Sequence, residues 1–298
     1  MTAYLLDLNE RLGRAASAWP PRQREPFVRF VRGAWAGAGF RGRAGGADLY
    51  YTAFALRALA MLGDDLDDLR APLLPAAATT GRTSLADRVS ALFTVRLLSG
   101  AGAPPPPAEA HAAAFEALRC DDGGYARAPG GASSTYATFL VAVGYDLLGA
   151  SPPDAGGIAA FVRRRRRDDG GFADADRMPR SSVNPTAAAV ALAAAGGLDD
   201  AALYDGAARF LLDVQRGDGG FPAGRGAPTG DLLSTFTALL TLSDLGAADA
   251  ADTAAAERFT RACRAGEGGF GGVPGDDGAD VEYTFYGLGV LAVLGAAP

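Results

Sequence analysis

Gln215-Arg216-Gly217-Asp218-Gly219-Gly220-Phe221 is the stretch on which the fold turns, because its Gly-Gly-aromatic ending recurs along the chain. The same ending stands at Gly123-Gly124-Tyr125, Gly170-Gly171-Phe172 and Gly268-Gly269-Phe270, with a weaker form at Gly39-Phe40. The last four aromatics are 47, 49 and 49 residues apart. The gap of 85 between Phe40 and Tyr125 leaves room for one further unit that has lost its motif. A period of this length marks a repeat architecture, in which each unit buries its apolar face against its neighbours.

A second landmark follows each motif. Thr52, Thr138, Thr186, Thr235 and Thr284 each lie 11 residues before a glycine: Gly63, Gly149, Gly197, Gly246 and Gly295. Four residues before each Thr stands Asp48, Ser134, Ser182, Asp231 or Asp280. Asp and Ser cap helix N-termini by accepting free N–H groups of the first turn, and Gly takes the left-handed turn past a helix end. The bracket predicts a helix of about 14 residues. Gly100 can end the equivalent helix of the second unit, where Val89 replaces the Thr.

Another helix precedes each motif. Phe161, Phe210 and Phe259 stand 11 residues before the motif aromatic, and Phe30 and Phe115 stand 10 before theirs, with apolar residues at three- and four-residue intervals between. Each unit thus reads as helix, Gly-rich turn, helix, Gly. Six units are expected, ending near residues 63, 100, 149, 197, 246 and 295, after a lead-in helix within 1–21. The second helices, such as 187–197, are nearly all apolar and belong inside; the first carry the charges and belong outside. The expectation is one all-α domain over 1–298, an α6-α6 barrel (α/α toroid) of six helical hairpins around a central apolar cavity, without strands.

Composition narrows the function. The chain has 298 residues, 28 basic and 34 acidic, for a net charge of −6, and it contains no Lys. That balance argues against a nucleic-acid partner, which needs a basic face. No stretch of 18 apolar residues runs without Gly or charge, so no membrane span is expected. The start has no signal-peptide layout, and the simplest location is cytoplasmic. Cys120, Cys263 and the single His111 cannot build a conventional zinc site. His111 reads as a surface residue, and Pro104–Pro107 as a stiff connector. The run Arg163–Arg167 reads as a helix end, or as a docking surface for an acidic partner.

Gln215…Asp218-Gly219-Gly220-Phe221 resembles the Gln-x-x-Asp-Gly-Gly-Phe repeat of the prenyltransferase β-subunit and squalene cyclase superfamily. The final unit, from Gly268 through Pro274 and Asp280 to Thr284, resembles the last repeat of Rab geranylgeranyltransferase-type β subunits. The similarity spans roughly 22–296. It implies the toroid fold, a prenyl diphosphate substrate, an α-type partner subunit for which the residues themselves give no support, and a zinc site. The three zinc-ligand positions fall on Asp231, Leu233 and Tyr283; Leu cannot ligate a metal, so zinc is predicted absent. The family's diphosphate arginine corresponds to Arg225, but its Lys and Tyr positions are Pro228 and Ser234. Arg41, Arg43, Arg127, Arg177 and Arg180 stand in comparable turns. The string Asp65-Leu66-Asp67-Asp68 matches the acid motif of the cyclases, yet it follows Gly63 and reads as a solvated connector.

Asp48, Asp231 and Asp280 share one register with Glu282 close by. Such carboxylates can bind Mg²⁺ with a diphosphate, keep one acid protonated, or simply cap helices. Tyr50, Tyr51, Phe54, Tyr136, Phe139, Phe236, Tyr283, Phe285 and Tyr286 gather in the first turns of the inner helices, as core or as walls for a long apolar ligand or carbocation. The leading expectation is an isoprenoid-binding enzyme that acts on a prenyl diphosphate without zinc. Asp231, Asp280 and Tyr283 would be catalytic; Arg225, Asp48, Tyr50, Tyr51, Tyr136, Phe236, Glu282 and Tyr286 would bind substrate. The alternatives are a class II-type terpene cyclase and a non-catalytic toroid that binds a lipid or a protein.

Overall fold

The computed structural model describes residues 3–79, 84–100, 106–266 and 268–298. These form two compact units, one from Met1–Pro106 with Ala256–Pro298 and the other from Pro107–Ala255. The first unit holds α1 (Tyr4–Ala16) and three hairpins. These are α2 (Pro21–Gly33) with α3 (Leu49–Leu62), α4 (Asp67–Ala77) with α5 (Leu85–Ser99), and most of α12 (Thr253–Ala262) with α13 (Val281–Val293). In the second unit the hairpins are α6 (Ala108–Glu116) with α7 (Thr135–Leu147), α8 (Ala155–Arg165) with α9 (Val183–Ala195), and α10 (Ala201–Val214) with α11 (Leu232–Asp244). Of the expected Pro connector, Pro104 and Pro105 lie outside the described residues, and Pro107 immediately precedes α6.

The second helix of a hairpin is the buried one. Nine residues of α3 are buried, against Phe27 and Val31 alone in α2. In the first unit α3 packs between α5 and α13, and α1 lies against all three. In the second, α9 packs between α7 and α11. Asp48, Ser134, Asp231 and Asp280 each accept the N–H of the third helical residue, as their register predicts. Ser182 does not: it occupies the cap position without a side-chain bond. Ser84 caps α5, a signal the Thr register could not give. Gly63, Gly149, Gly197, Gly246 and Gly295 all take left-handed φ, from 64° to 74°.

The recurring Thr has a job that its spacing alone does not reveal. Its hydroxyl accepts the backbone N–H of the motif aromatic, at 2.9 Å for Phe40–Thr52, Tyr125–Thr138 and Phe172–Thr186 and 3.0 Å for Phe221–Thr235. In turn Thr186 donates to the Ser182 carbonyl at 2.7 Å. The hydroxyl therefore ties the Gly turn to the first turn of its helix. Thr186→Val leaves the fully buried Phe172 N–H without an acceptor. A loss of about 1–2 kcal/mol in urea unfolding is expected, largely restored by Thr186→Ser.

The glycines seat one hairpin on the next. A Cβ on Gly123 would lie 2.4 Å from the Gly157 carbonyl oxygen of α8, and one on Gly170 would lie 2.5 Å from that of Gly206 in α10. The same approach joins the last hairpin to the first within one unit, where a Cβ on Gly268 would lie 2.4 Å from the Pro26 carbonyl oxygen. Phe270 stacks on Phe27 there at 5.6 Å and 9°. Hairpin six thus docks on hairpin one as the internal hairpins dock on each other.

Three expectations need correction. Short antiparallel strand pairs do occur, as two-residue ladders in three Gly turns: Phe40–Arg41 with Ala47–Asp48, Tyr125–Ala126 with Ser133–Ser134, and Arg264–Ala265 with Gly269–Phe270. In the first two the turn chain doubles back beside its own helix entry and in the third beside the exit of α12, and backbone pairing satisfies its N–H and C=O groups. His111 is buried, at 4% exposure, because it lies on the inward face of α6 with Phe115 four residues on. The arginine run is mostly spent internally. Arg165, 2% exposed, reaches Asp122, Asp176 and Ser133; Arg164, Arg166 and Arg167 bond backbone carbonyls. Arg163 and Arg164 stay exposed at the helix end.

Candidate functional site

Within the first unit, the N-termini of α3 and α13 lie side by side and bring most of the expected residues together. The Tyr50 hydroxyl donates to Glu282 Oε1 at 2.6 Å, joining the first turn of each helix. Tyr50 meets Tyr51 edge-on at 5.4 Å and Phe54 at 5.1 Å. Phe54 continues the wall to Phe285 at 5.7 Å and Tyr286 at 5.3 Å, and Tyr286 reaches Tyr283 at 6.3 Å. Residues i, i+3 and i+4 of a helix share a face, so the spacing of these rings makes the contacts.

Arg43 pairs with two of the carboxylates at this end. Its guanidinium pairs with Asp276 at 2.6 Å and Asp280 at 3.0 Å, and it lies 5.3 Å from the Tyr283 ring centroid. Asp280 caps Tyr283 N–H with its other oxygen at 2.8 Å, so both of its oxygens are engaged. The Arg43 hydrogen bond, with backbone N–H groups of Gly272 and Gly278, holds Asp276 below the usual carboxylate range. Asp48 accepts the Tyr51 N–H at 2.8 Å.

Glu282 behaves differently. Burial pushes its carboxyl above the ordinary range and the Asp280 charge adds to this, while hydrogen bonds from Tyr50 and Tyr286 and the Arg43 charge oppose it. The fold therefore holds this proton at pH values where the unfolded chain has released it. Its contribution to stability is present below the ordinary Glu value and lost as pH rises through the raised one. Glu282→Gln carries no titrating group. Its stability relative to the parent should rise as the pH climbs above the ordinary Glu value of about 4. A difference in urea midpoint that stays flat above that value contradicts the assignment.

In the second unit, Asp231 accepts Ser234 N–H at 2.8 Å on one oxygen and the Ser234 hydroxyl at 2.9 Å on the other. Burial raises this carboxyl, against those bonds. The network continues to Asn184, which donates to Ser234 Oγ at 3.4 Å and accepts from Thr237 at 2.7 Å. Sequence reading missed Asn184 and Thr237, whose polar groups on otherwise apolar inner helices were the available signal. Arg225 is 44% exposed and stands 3.8 Å from Asp169 and 3.7 Å from Asp213, over the Phe210 ring. Phe236 is buried. Tyr136 is 38% exposed and covered by Arg127.

The positions that correspond to a zinc site do not fit that ion. Leu233 offers no lone pair, both Asp231 oxygens accept from Ser234, and Tyr283 faces the Arg43 cation. Among the described residues, no group of three or more His, Cys, Asp or Glu side chains is placed to hold a metal ion. The acid string 65–68 lies at the surface, but only Asp65 and Leu66 belong to the connector; Asp67 and Asp68 open α4. Arg32 bridges Asp64 and Asp68 at 2.7 Å each, and Arg70 pairs with Asp67. No described helix is long and apolar enough to cross a membrane.

The model of the prenyltransferase alpha-alpha toroid domain matches residues 4–79 and 107–298. The chain belongs to that family. Among solved structures it is similar to Candida albicans protein geranylgeranyltransferase-I complexed with GGPP, at 16% identity and a TM-score of 0.51, over 92% of this chain and 78% of that one. It is similar to ent-copalyl diphosphate synthase from Streptomyces platensis at 19% identity and a TM-score of 0.51, over 91% of this chain and half of the synthase. At these identities the likeness is one of fold. No curated protein matches the sequence.

Proposed function

We propose that the chain is an isoprenoid-binding enzyme of the prenyltransferase β-subunit type, acting on a prenyl diphosphate without the usual zinc. The observation that carries this is the continuous aromatic face of Tyr50, Phe54, Phe285 and Tyr286 along two inner helices. Such a face packs a branched hydrocarbon chain, and its ring faces stabilise an allylic cation as diphosphate leaves. By family resemblance Arg225 is the candidate for holding the diphosphate and Asp231 a shaping carboxylate, both in the second unit; Asp280 and Tyr283, the latter at a lost ligand position, are their counterparts in the first. The reading places the enzyme in the cytoplasm, in keeping with Cys120 and Cys263 as reduced cysteines.

A second reading, acid-initiated cyclisation, is favoured by Glu282. A carboxyl whose hold on its proton is strengthened by burial beside aromatic rings can give that proton to an alkene carbon, leaving a cation at the neighbouring carbon and a carboxylate stabilised by Tyr50 and Tyr286. Incubation with farnesyl diphosphate, geranylgeranyl diphosphate and squalene separates the two readings. Release of diphosphate with an acceptor supports transfer, whereas a product isomeric with its substrate, lost in Glu282→Gln, supports cyclisation. Absence of binding and product with all three removes both.

A further inference from the structure

Arg57 is the only charged residue of α3, on the same helix face as Tyr50 and Phe54. Its guanidinium carbon lies 3.9 Å from the Phe285 ring centroid, 5.5 Å from Phe54 and 5.8 Å from Phe93, so rings from α3, α5 and α13 surround it. Nε is sealed from solvent and has no hydrogen-bond partner. No carboxylate faces it among the described residues; the titratable groups that influence it are the hydroxyls of Tyr286, Tyr4 and Tyr50. Burial pulls the guanidinium down to about 10, which leaves it charged at neutral pH. Part of the residue nonetheless keeps contact with solvent.

A half-buried cation without a counter-ion has lost part of its hydration, and ring faces offset that only in part because they do not replace acceptor oxygens. Arg43 and Arg225 already stand beside carboxylates, so an incoming anion must compete with Asp276 and Asp280 at the first and with Asp169 and Asp213 at the second. At Arg57 it meets no competitor. We propose that Arg57 holds the anionic oxygen group, phosphate or carboxylate, of a hydrocarbon ligand whose body lies along the Tyr50 face of α3. Arg57 lies nine residues beyond Asp48, about 13 Å along the helix axis. The hydrocarbon chain then runs from Arg57 back toward Tyr50 and Glu282. This deepens the isoprenoid reading and rests on it for the nature of the tail, while it puts the anion at Arg57 in place of the family-derived Arg225.

Calorimetric titration of the full chain with two ligand pairs tests it. Each pair shares a tail and differs in charge: geranylgeranyl diphosphate with geranylgeraniol, and dodecyl phosphate with dodecanol. The parent should bind the charged member roughly 30-fold more tightly, and Arg57→Met should bind both members alike. Arg57→Lys should keep part of the preference. Arg57→Gln replaces Arg57→Met should its ligand-free melting curve show that the latter does not fold. A parent that binds both members of each pair equally, or binds none of the four, overturns the proposal. So does a preference that survives in Arg57→Met and disappears in Arg225→Met. Preference for dodecyl phosphate without binding of either geranylgeranyl compound keeps Arg57 as the anion site and removes the isoprenoid reading alone.

Discussion

Gly268→Ala should lower the stability of the chain by about 3–4 kcal/mol in urea unfolding. Two effects add. Residue 268 has φ of +123°, outside what an L side chain adopts without strain. A Cβ there would also meet the Pro26 carbonyl oxygen at 2.4 Å and its carbon at 2.8 Å. Those atoms belong to the backbone of α2 and cannot swing aside as a side-chain tip would. Relief requires the last hairpin to back away from the first, which opens the Phe27–Phe270 stack and exposes two aromatic rings that are now buried. Gly246→Ala separates the two effects: its φ is +68°, but nothing lies within 4 Å of its Cβ position. It should lose only about 1 kcal/mol, the strain of a left-handed residue. Equal losses in the two variants would mean that residue 268 makes no special contact between hairpins.

Asp280→Ala should lower stability by about 3 kcal/mol. The carboxylate is 4% exposed and has two partners, the Tyr283 N–H and the Arg43 guanidinium. Removing it deletes a helix cap and leaves Arg43 with Asp276 alone, while the Tyr283 N–H loses its acceptor. Asp280→Asn retains the cap oxygen and should recover about 1 kcal/mol of that loss. The same pair decides between a positioning and a catalytic role. With both oxygens committed, Asp280 holds the ends of α3 and α13 in place, so Asp280→Asn should retain turnover to within about threefold. A drop of several orders of magnitude in a folded Asp280→Asn would instead place this carboxylate in the chemistry.

The hairpins were legible because their signals are local and repeated. Asp48, Asp231 and Asp280 cap helices, and Gly63 through Gly295 turn left-handed, for reasons that act within a few residues. Pairing of Tyr50 with Glu282 and of Arg43 with Asp280 spans 232 and 237 residues. The repeat register brought these residues to one end of their helices, yet no spacing rule says which acid meets which base. Arg165 repeats the point: it lies four residues after Phe161, on the buried face, and the run of arginines around it hid that. Arg57 was missed although its signal was present, as a lone charge in an apolar inner helix. His111 was misplaced for the opposite reason, because polarity alone was allowed to decide its side of α6.

Photolabelling with a benzophenone analogue of geranylgeranyl diphosphate, followed by peptide mapping, tests the central claim most directly. The account predicts saturable labelling within Leu49–Leu62 and Val281–Val293, displaced by excess unmodified geranylgeranyl diphosphate. Labelling confined to the outer helices α2, α4 or α12, or none that the unmodified compound displaces, would contradict it.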